Sequence, residues 1–330
     1  MKINTTKEGI LVVNQSMSET PPKPKIDIHQ HVLPPFWVDH LREHPSPHRL
    51  PEWSPEAAIA SMDRQGISKA YLSLSVPGVL PWPEDERASA ARRANEYTAH
   101  LIERWPDRFG NLATLPLPDV EAALTELNHA YDHLDVDGVI LFTNYGDMFL
   151  GDPTFEPLWE ELDRRSAVVL IHPDSTTLPG LEGIPASLVD FPFATTRAAV
   201  DLVFHGVIAQ YPNVRWVLSH AGGFLPYAAD RFATGGSMLP GAPDKETLMR
   251  QFRCFYLDTA LSTSSLVLPS LTAFADPERI LFGSDYPYAA GKSEEFTAAL
   301  DNSALLSEEQ HCAITWRNAD NMLSSSSINQ

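Results

Sequence analysis

Two kinds of apolar pattern alternate along the chain. Short uninterrupted apolar runs, such as Ala167-Val168-Val169-Leu170-Ile171-His172, are followed by longer stretches whose apolar residues recur every three or four positions. An uninterrupted run predicts a strand covered on both faces, and the second pattern predicts an amphipathic helix. Strands are expected at 26–31, 69–76, 109–115, 138–142, 167–172, 214–219, 255–258 and 280–284. Helices are expected at 84–105, 120–134, 155–165, 195–211, after Gly223, near 264–274, and after the last strand to about 323. Ser54-Pro55-Glu56 reads as an N-cap with Pro at the first helical position, opening a helix to about Gln65.

Eight strands, each followed by a helix, predict a parallel sheet closed into an α/β (β/α)₈ barrel. An open doubly wound sheet is the alternative architecture, weakened because no strand leads into a Gly-x-Gly-x-x-Gly turn. The expected organisation is a single barrel domain over 25–323. A flexible leader over 1–24 ends in Pro21-Pro22-Lys23-Pro24, and a polar tail covers 324–330. Met17 is a second possible start. An inserted loop after the first strand, 34–55, carries Trp37, His40, His44, His48 and Trp53 and is a candidate pocket wall.

Composition narrows the partners. Of 330 residues, 43% are hydrophobic, enough for one large core. With 24 Lys and Arg against 43 Asp and Glu, the net charge of -19 repels nucleic acid and anionic membrane surfaces. An anionic substrate would then need a local positive centre. No apolar run reaches the roughly 18 residues of a membrane span. Gly9-Ile10-Leu11-Val12-Val13 is too short for a signal-peptide core. The only cysteines, Cys254 and Cys312, are far apart and in no metal-binding spacing, which points to a reducing, cytoplasmic setting.

The polar residues fall where the chemistry would be. In Ile26-Asp27-Ile28-His29-Gln30-His31, alternation turns His29 and His31 to the same face, near enough to share one ion. His172 ends the fifth strand, His220 the sixth, and Asp285 follows the eighth. All are C-terminal strand ends, where barrels of this kind carry their active sites. Metal-binding side chains at four strand ends predict a metal centre there.

In these segments (IDIHQHVLP, VVLIHPD, LSHAGGFLPYAADR, LFGSDYPY and the stretch FPFATTRAAVDLVFHGVIAQYPNVRWVLSHAGG) the chain resembles the amidohydrolase superfamily. The likeness runs over about 25–323 and is closest to the decarboxylase branch, which includes aminocarboxymuconate-semialdehyde, γ-resorcylate and 6-methylsalicylate decarboxylases. The resemblance implies His29, His31, His172 and Asp285 as metal ligands, and His220 as a residue acting beside the metal. Strand four, Gly138-Val139-Ile140-Leu141-Phe142, lacks the Lys that would bridge two metals, so one ion per subunit is expected. Three imidazoles and a carboxylate suit Zn²⁺, with Mn²⁺ as the alternative.

The implied reaction is non-oxidative decarboxylation of a salicylate-type aromatic acid, 6-methylsalicylate or a close relative. Asp285 would protonate the ring carbon, with His220 or solvent supplying the proton. In the muconate branch, a hydroxide activated by His220 acts instead. The competing reading is an amidohydrolase or lactonase working through a metal-bound water. Arg231, eleven residues after His220, resembles a family arginine that holds the substrate carboxylate in a neighbouring subunit, which implies a homodimer or higher. Arg49 is a looser candidate for the same job. Phe36, Trp37, Tyr145, Phe191, Phe193, Phe224 and Tyr288 sit near strand ends and are candidates for an aromatic pocket, with Phe36, Phe193 and Tyr288 singled out as substrate contacts.

Overall fold

The computed structural model describes residues 24–44, 50–174, 180–289 and 291–324. Nearly all of the expected leader and tail, and with them Met17, His48 and Arg49, lie outside the described residues. Eight strands form one parallel sheet in sequence order: β1 (Lys25–Val32), β2 (Ile67–Leu74), β3 (Phe109–Thr114), β4 (Gly138–Phe142), β5 (Val168–His172), β6 (Arg215–Leu218), β7 (Tyr256–Asp258) and β8 (Ile280–Leu281). The ring closes between β1 and the residues after β8. Ile28 N donates to Phe282 O at 3.0 Å, Asp285 N to His29 O at 2.9 Å, and His31 N to Tyr286 O at 2.7 Å. This is the expected (β/α)₈ barrel.

Local chemistry accounts for the element ends. Ser54 Oγ accepts from Ala57 N at 3.1 Å and caps Pro55–Gln65, which stops at Gly66 in the left-handed region at φ 69°. Asp119 caps Val120–His133 by accepting from Ala122 N at 3.0 Å. Inside the ring, strands β4 and β5 are buried along their whole length. Outside it, Trp159 packs edge-on against Trp216 with ring centroids 5.3 Å apart, under the helix Glu156–Arg164.

Two stretches depart from expectation. The inserted loop begins with a helix, Pro35–Glu43, whose Trp37 is fully buried and donates from Nε1 to Gly78 O at 2.7 Å. Apolar positions one turn apart (Trp37 and Leu41) carried that signal, but the surrounding prolines and histidines masked it. The helix expected from 195 starts earlier, at Ala186, and runs through Pro192 to Phe204; Gly206 at φ 78° then separates it from Val207–Gln210.

Candidate metal centre

Strand β1 does not run evenly beside β2. Asp27 pairs with Ala70 but Gln30 with Leu72, so β1 carries an extra residue around Ile28 and His29. Such a bulge re-aims side chains. It brings His31 opposite Ser73 and turns Asp27 to the other parity, against the seam with the β8 end.

There Asp27, fully buried, accepts from His29 N at 3.1 Å, Gln30 Nε2 at 3.1 Å, Ser284 N at 3.0 Å and Ser284 Oγ at 2.5 Å. Burial pushes its carboxyl up from 3.8 to about 6, although the Ser284 and His29 hydrogen bonds oppose the shift. The network fixes the backbone on either side of His29 and Asp285.

His29, His31, His172 and Asp285 converge at the C-terminal mouth, each offering a ligand atom within 4.8 Å of the others, and all four are buried. His29 Nε2 lies 3.2 Å from His31 Nε2, and Asp285 Oδ1 lies 3.5 Å and 3.3 Å from these two nitrogens. A tetrahedral ion with bonds of about 2.0–2.1 Å would separate its donors by about 3.3 Å, which matches these gaps. Asp285 Oδ1 is buried without a hydrogen-bond partner, as expected of an atom whose partner is a cation. The donor set therefore fits a divalent metal.

Each imidazole is oriented from behind. His29 Nδ1 donates to Asp258 Oδ2 at 2.7 Å, His172 Nδ1 lies 3.0 Å from Pro173 O, and His31 Nδ1 lies 3.1 Å from Ser73 Oγ. These bonds leave the Nε2 atoms free to bind. Burial draws His29 down, but the carboxylates of Asp258, Asp285 and Asp27 outweigh it and hold the ring at about 9. Burial holds His31 below its ordinary value and, with the neighbouring rings, His172 well below it. Burial would raise Asp285; the hydrogen bond with His220, the His31 imidazole beside it and the charge of His29 instead hold it well below the carboxylate range.

His220 stands beside the cluster, with Nε2 3.4 Å from Asp285 Oδ2 and its ring centroid 5.1 Å from that of His29. Tyr288 lies edge-on to His31 at 5.4 Å, and burial raises its hydroxyl. Phe191 meets His172 at 6.2 Å. Phe36 instead sits under the Arg93 guanidinium at 4.0 Å and beside Trp82, and Phe193 is partly exposed with Arg197 at 5.6 Å. Arg231 is exposed on the helix Leu225–Gly236, with no ion pair or hydrogen bond of its own among the described residues. Sequence reasoning passed over Asp27, Ser73 and Asp258. Asp258 ends a strand as the selected residues do and was legible by that rule; the partners of Asp27 and Ser73 depend on the bulge.

The family model described as amidohydrolase matches residues 26–324. A decarboxylase of Penicillium terrestre is 39% identical over 83% of the chain and 89% of its own length. The 6-methylsalicylic acid decarboxylase of Penicillium expansum is 39% identical over 80% of the chain and 85% of its own length. Among solved structures, an amidohydrolase II superposes with a TM-score of 0.85 at 32% identity, covering 91% of this chain and 99% of that one. A dihydroxybenzoic acid decarboxylase of Polaromonas, solved with bound manganese and 2-nitroresorcinol, shares the fold at 24% identity and a TM-score of 0.73, covering 92% of this chain and 96% of that one. Strand-end imidazoles and carboxylate, closed barrel and likeness agree: the chain belongs to the amidohydrolase family.

Proposed function

We propose that this protein is a metal-dependent decarboxylase of a salicylate-type aromatic acid, with 6-methylsalicylate or a close relative as substrate. The observation that carries the reading is the buried His₃Asp cluster, with its partnerless Asp285 Oδ1, in a chain 39% identical to a 6-methylsalicylic acid decarboxylase. His29, His31, His172 and Asp285 hold one divalent ion, which when bound supplies a Lewis acid and a template for the substrate's carboxylate and ortho hydroxyl. Three nitrogens and one oxygen suit Zn²⁺; Mn²⁺ is the alternative, supported by the manganese in the Polaromonas structure.

Loss of carbon dioxide requires a proton at the ring carbon that carries the carboxylate. Asp285 is the residue we assign to deliver it. With its carboxyl held well below the usual range, it carries no proton at rest. His220 Nε2, 3.4 Å from Asp285 Oδ2, is placed to hand one over and to recover it from solvent. Phe191 and Tyr288 wall the substrate beside His172 and His31. Phe36 and Phe193 are assigned to the outer wall. Arg231, exposed on its helix, is assigned to the substrate carboxylate in a second copy of the chain, making a homodimer the working unit. Cys254 and Cys312 form no disulfide among the described residues, which suits a cytoplasmic setting; among the described residues no helix is long and apolar enough to cross a membrane.

The test is to load the metal-free protein with Zn²⁺ or Mn²⁺ and supply a panel of hydroxybenzoic acids, with lactones in parallel. Carbon dioxide released from 6-methylsalicylate, and lost on chelation, is the expected result. Lactone opening with no carbon dioxide from any acid would replace this reading with the hydrolytic one.

A further inference from the structure

Asp258 ends β7, is fully buried, and turns its two carboxylate oxygens toward different parts of the site. Oδ2 accepts from His29 Nδ1 at 2.7 Å, while Oδ1 accepts from His220 N at 2.8 Å and Ala260 N at 2.9 Å. A carboxylate oxygen accepts only, so Nδ1 of His29 carries a hydrogen, and Nε2, facing His31 and Asp285, is the nitrogen left for an ion. The second arm holds a strained turn. His220 and Ala221 both lie at φ 54°, a region that non-glycine residues seldom occupy and that surrounding contacts must enforce. Gly283 leaves room for this arrangement, since a Cβ there would stand 3.0 Å from His29 Cβ and 3.2 Å from Asp258 Cβ and Cγ.

We propose that Asp258 is a positioning residue that couples the two halves of the centre: one oxygen sets the metal-binding tautomer of His29, and the other anchors the turn that aims His220. The His29 arm requires only that the cluster takes a divalent ion. The His220 arm rests on the decarboxylase reading.

Two variants separate the arms. In Asp258→Asn the amide oxygen can still accept from His220 N, but the amide nitrogen facing His29 Nδ1 cannot accept. Asp258→Ala removes both acceptors, and Asp258→Ser takes its place if the alanine chain does not fold. The full-length protein is stripped of metal, checked for an unchanged melting profile, and titrated with Zn²⁺ against a chromophoric chelator. Measured at alkaline pH, where protons do not compete for the imidazoles, both variants are expected to lose about 10–100-fold in metal affinity. Turnover of 6-methylsalicylate is then measured at saturating metal. There kcat of Asp258→Asn recovers, whereas that of Asp258→Ala stays down by about tenfold or more with KM little changed. Zn²⁺ affinity of Asp258→Asn equal to that of the unsubstituted protein overturns the His29 arm. Full kcat of Asp258→Ala at saturating metal overturns the His220 arm. If the unsubstituted protein decarboxylates no salicylate, the decarboxylase reading fails with the His220 arm, while the metal titration still decides the His29 arm.

Discussion

The barrel has two kinds of seam. Between β4 and β5, four consecutive pairs from Val139 with Val169 to Phe142 with His172 run in register, through residues that are all buried. Between β1 and the end of β8 the ladder is reduced to separate hydrogen bonds, and the Asp27 carboxylate adds two across the seam, from Ser284 N and Oγ, and two within β1, from His29 N and Gln30 Nε2. The regular seam is held by burial and backbone pairing, which resist change of position. The irregular seam is held by polar side chains, which fix particular atoms, and it carries three of the four metal-binding side chains. The regular pair sets one imidazole, His172, at the end of an even ladder; the interrupted one brings His29, His31 and Asp285 together from two chain segments.

Breaking the ligand end of the irregular seam has the largest expected effect. Asp285→Asn removes a charged ligand and the assigned proton carrier together, so turnover falls by about 10³-fold or more, read as carbon dioxide release at saturating metal. Survival of full activity would detach Asp285 from the chemistry. At the regular seam, Leu170→Ala empties a fully buried position on β5. The expected loss is about 2–5 kcal/mol of stability in denaturant unfolding. Metal affinity of the folded fraction should be unchanged; if it fell in step, the two seams would not be separable.

A third outcome concerns protons. His29 is held at about 9 in the metal-free protein, above its usual 6.5, so below pH 9 an ion must displace a proton from it. Metal affinity should therefore rise about tenfold per pH unit between roughly 6.5 and 9 and level off above, measured by chelator competition. A flat profile would remove the Asp258–His29 pair from the account.

The smallest effect is at Asp27. Its carboxyl is raised from 3.8 to about 6, so the folded metal-free state holds a proton that the unfolded chain has released. Folding stability from this group is complete below about 3.8 and is lost as pH rises through 6. Asp27→Asn should flatten that fall, removing a slope of about 1 kcal/mol per pH step of one from melts between pH 4 and 6. An unchanged slope would mean that another group controls this window.

Much of the architecture was legible without coordinates. The eight apolar runs each became a strand in the order they occur, and the helix cap read at Ser54 is used. The five strand-end residues His29, His31, His172, His220 and Asp285 came together at one mouth. Less legible were the boundaries near proline, at Pro35–Glu43 and at Ala186–Phe204, because a proline reads as a break even where it occupies a helix start or is bridged within one.

The sequence by itself determined the succession of strands and helices and the chemical type of the candidate ligands, since both follow from local periodicity and from which side chain ends each strand. Tertiary structure alone decided the donor spacing near 3.3 Å, the low resting state of Asp285 and the reach of Asp258 across to His29. Those properties are set by distances of a few ångströms between residues as far apart as 29 and 258. Such distances arise from the bulge in β1 and from how the ring closes, which no local pattern encodes.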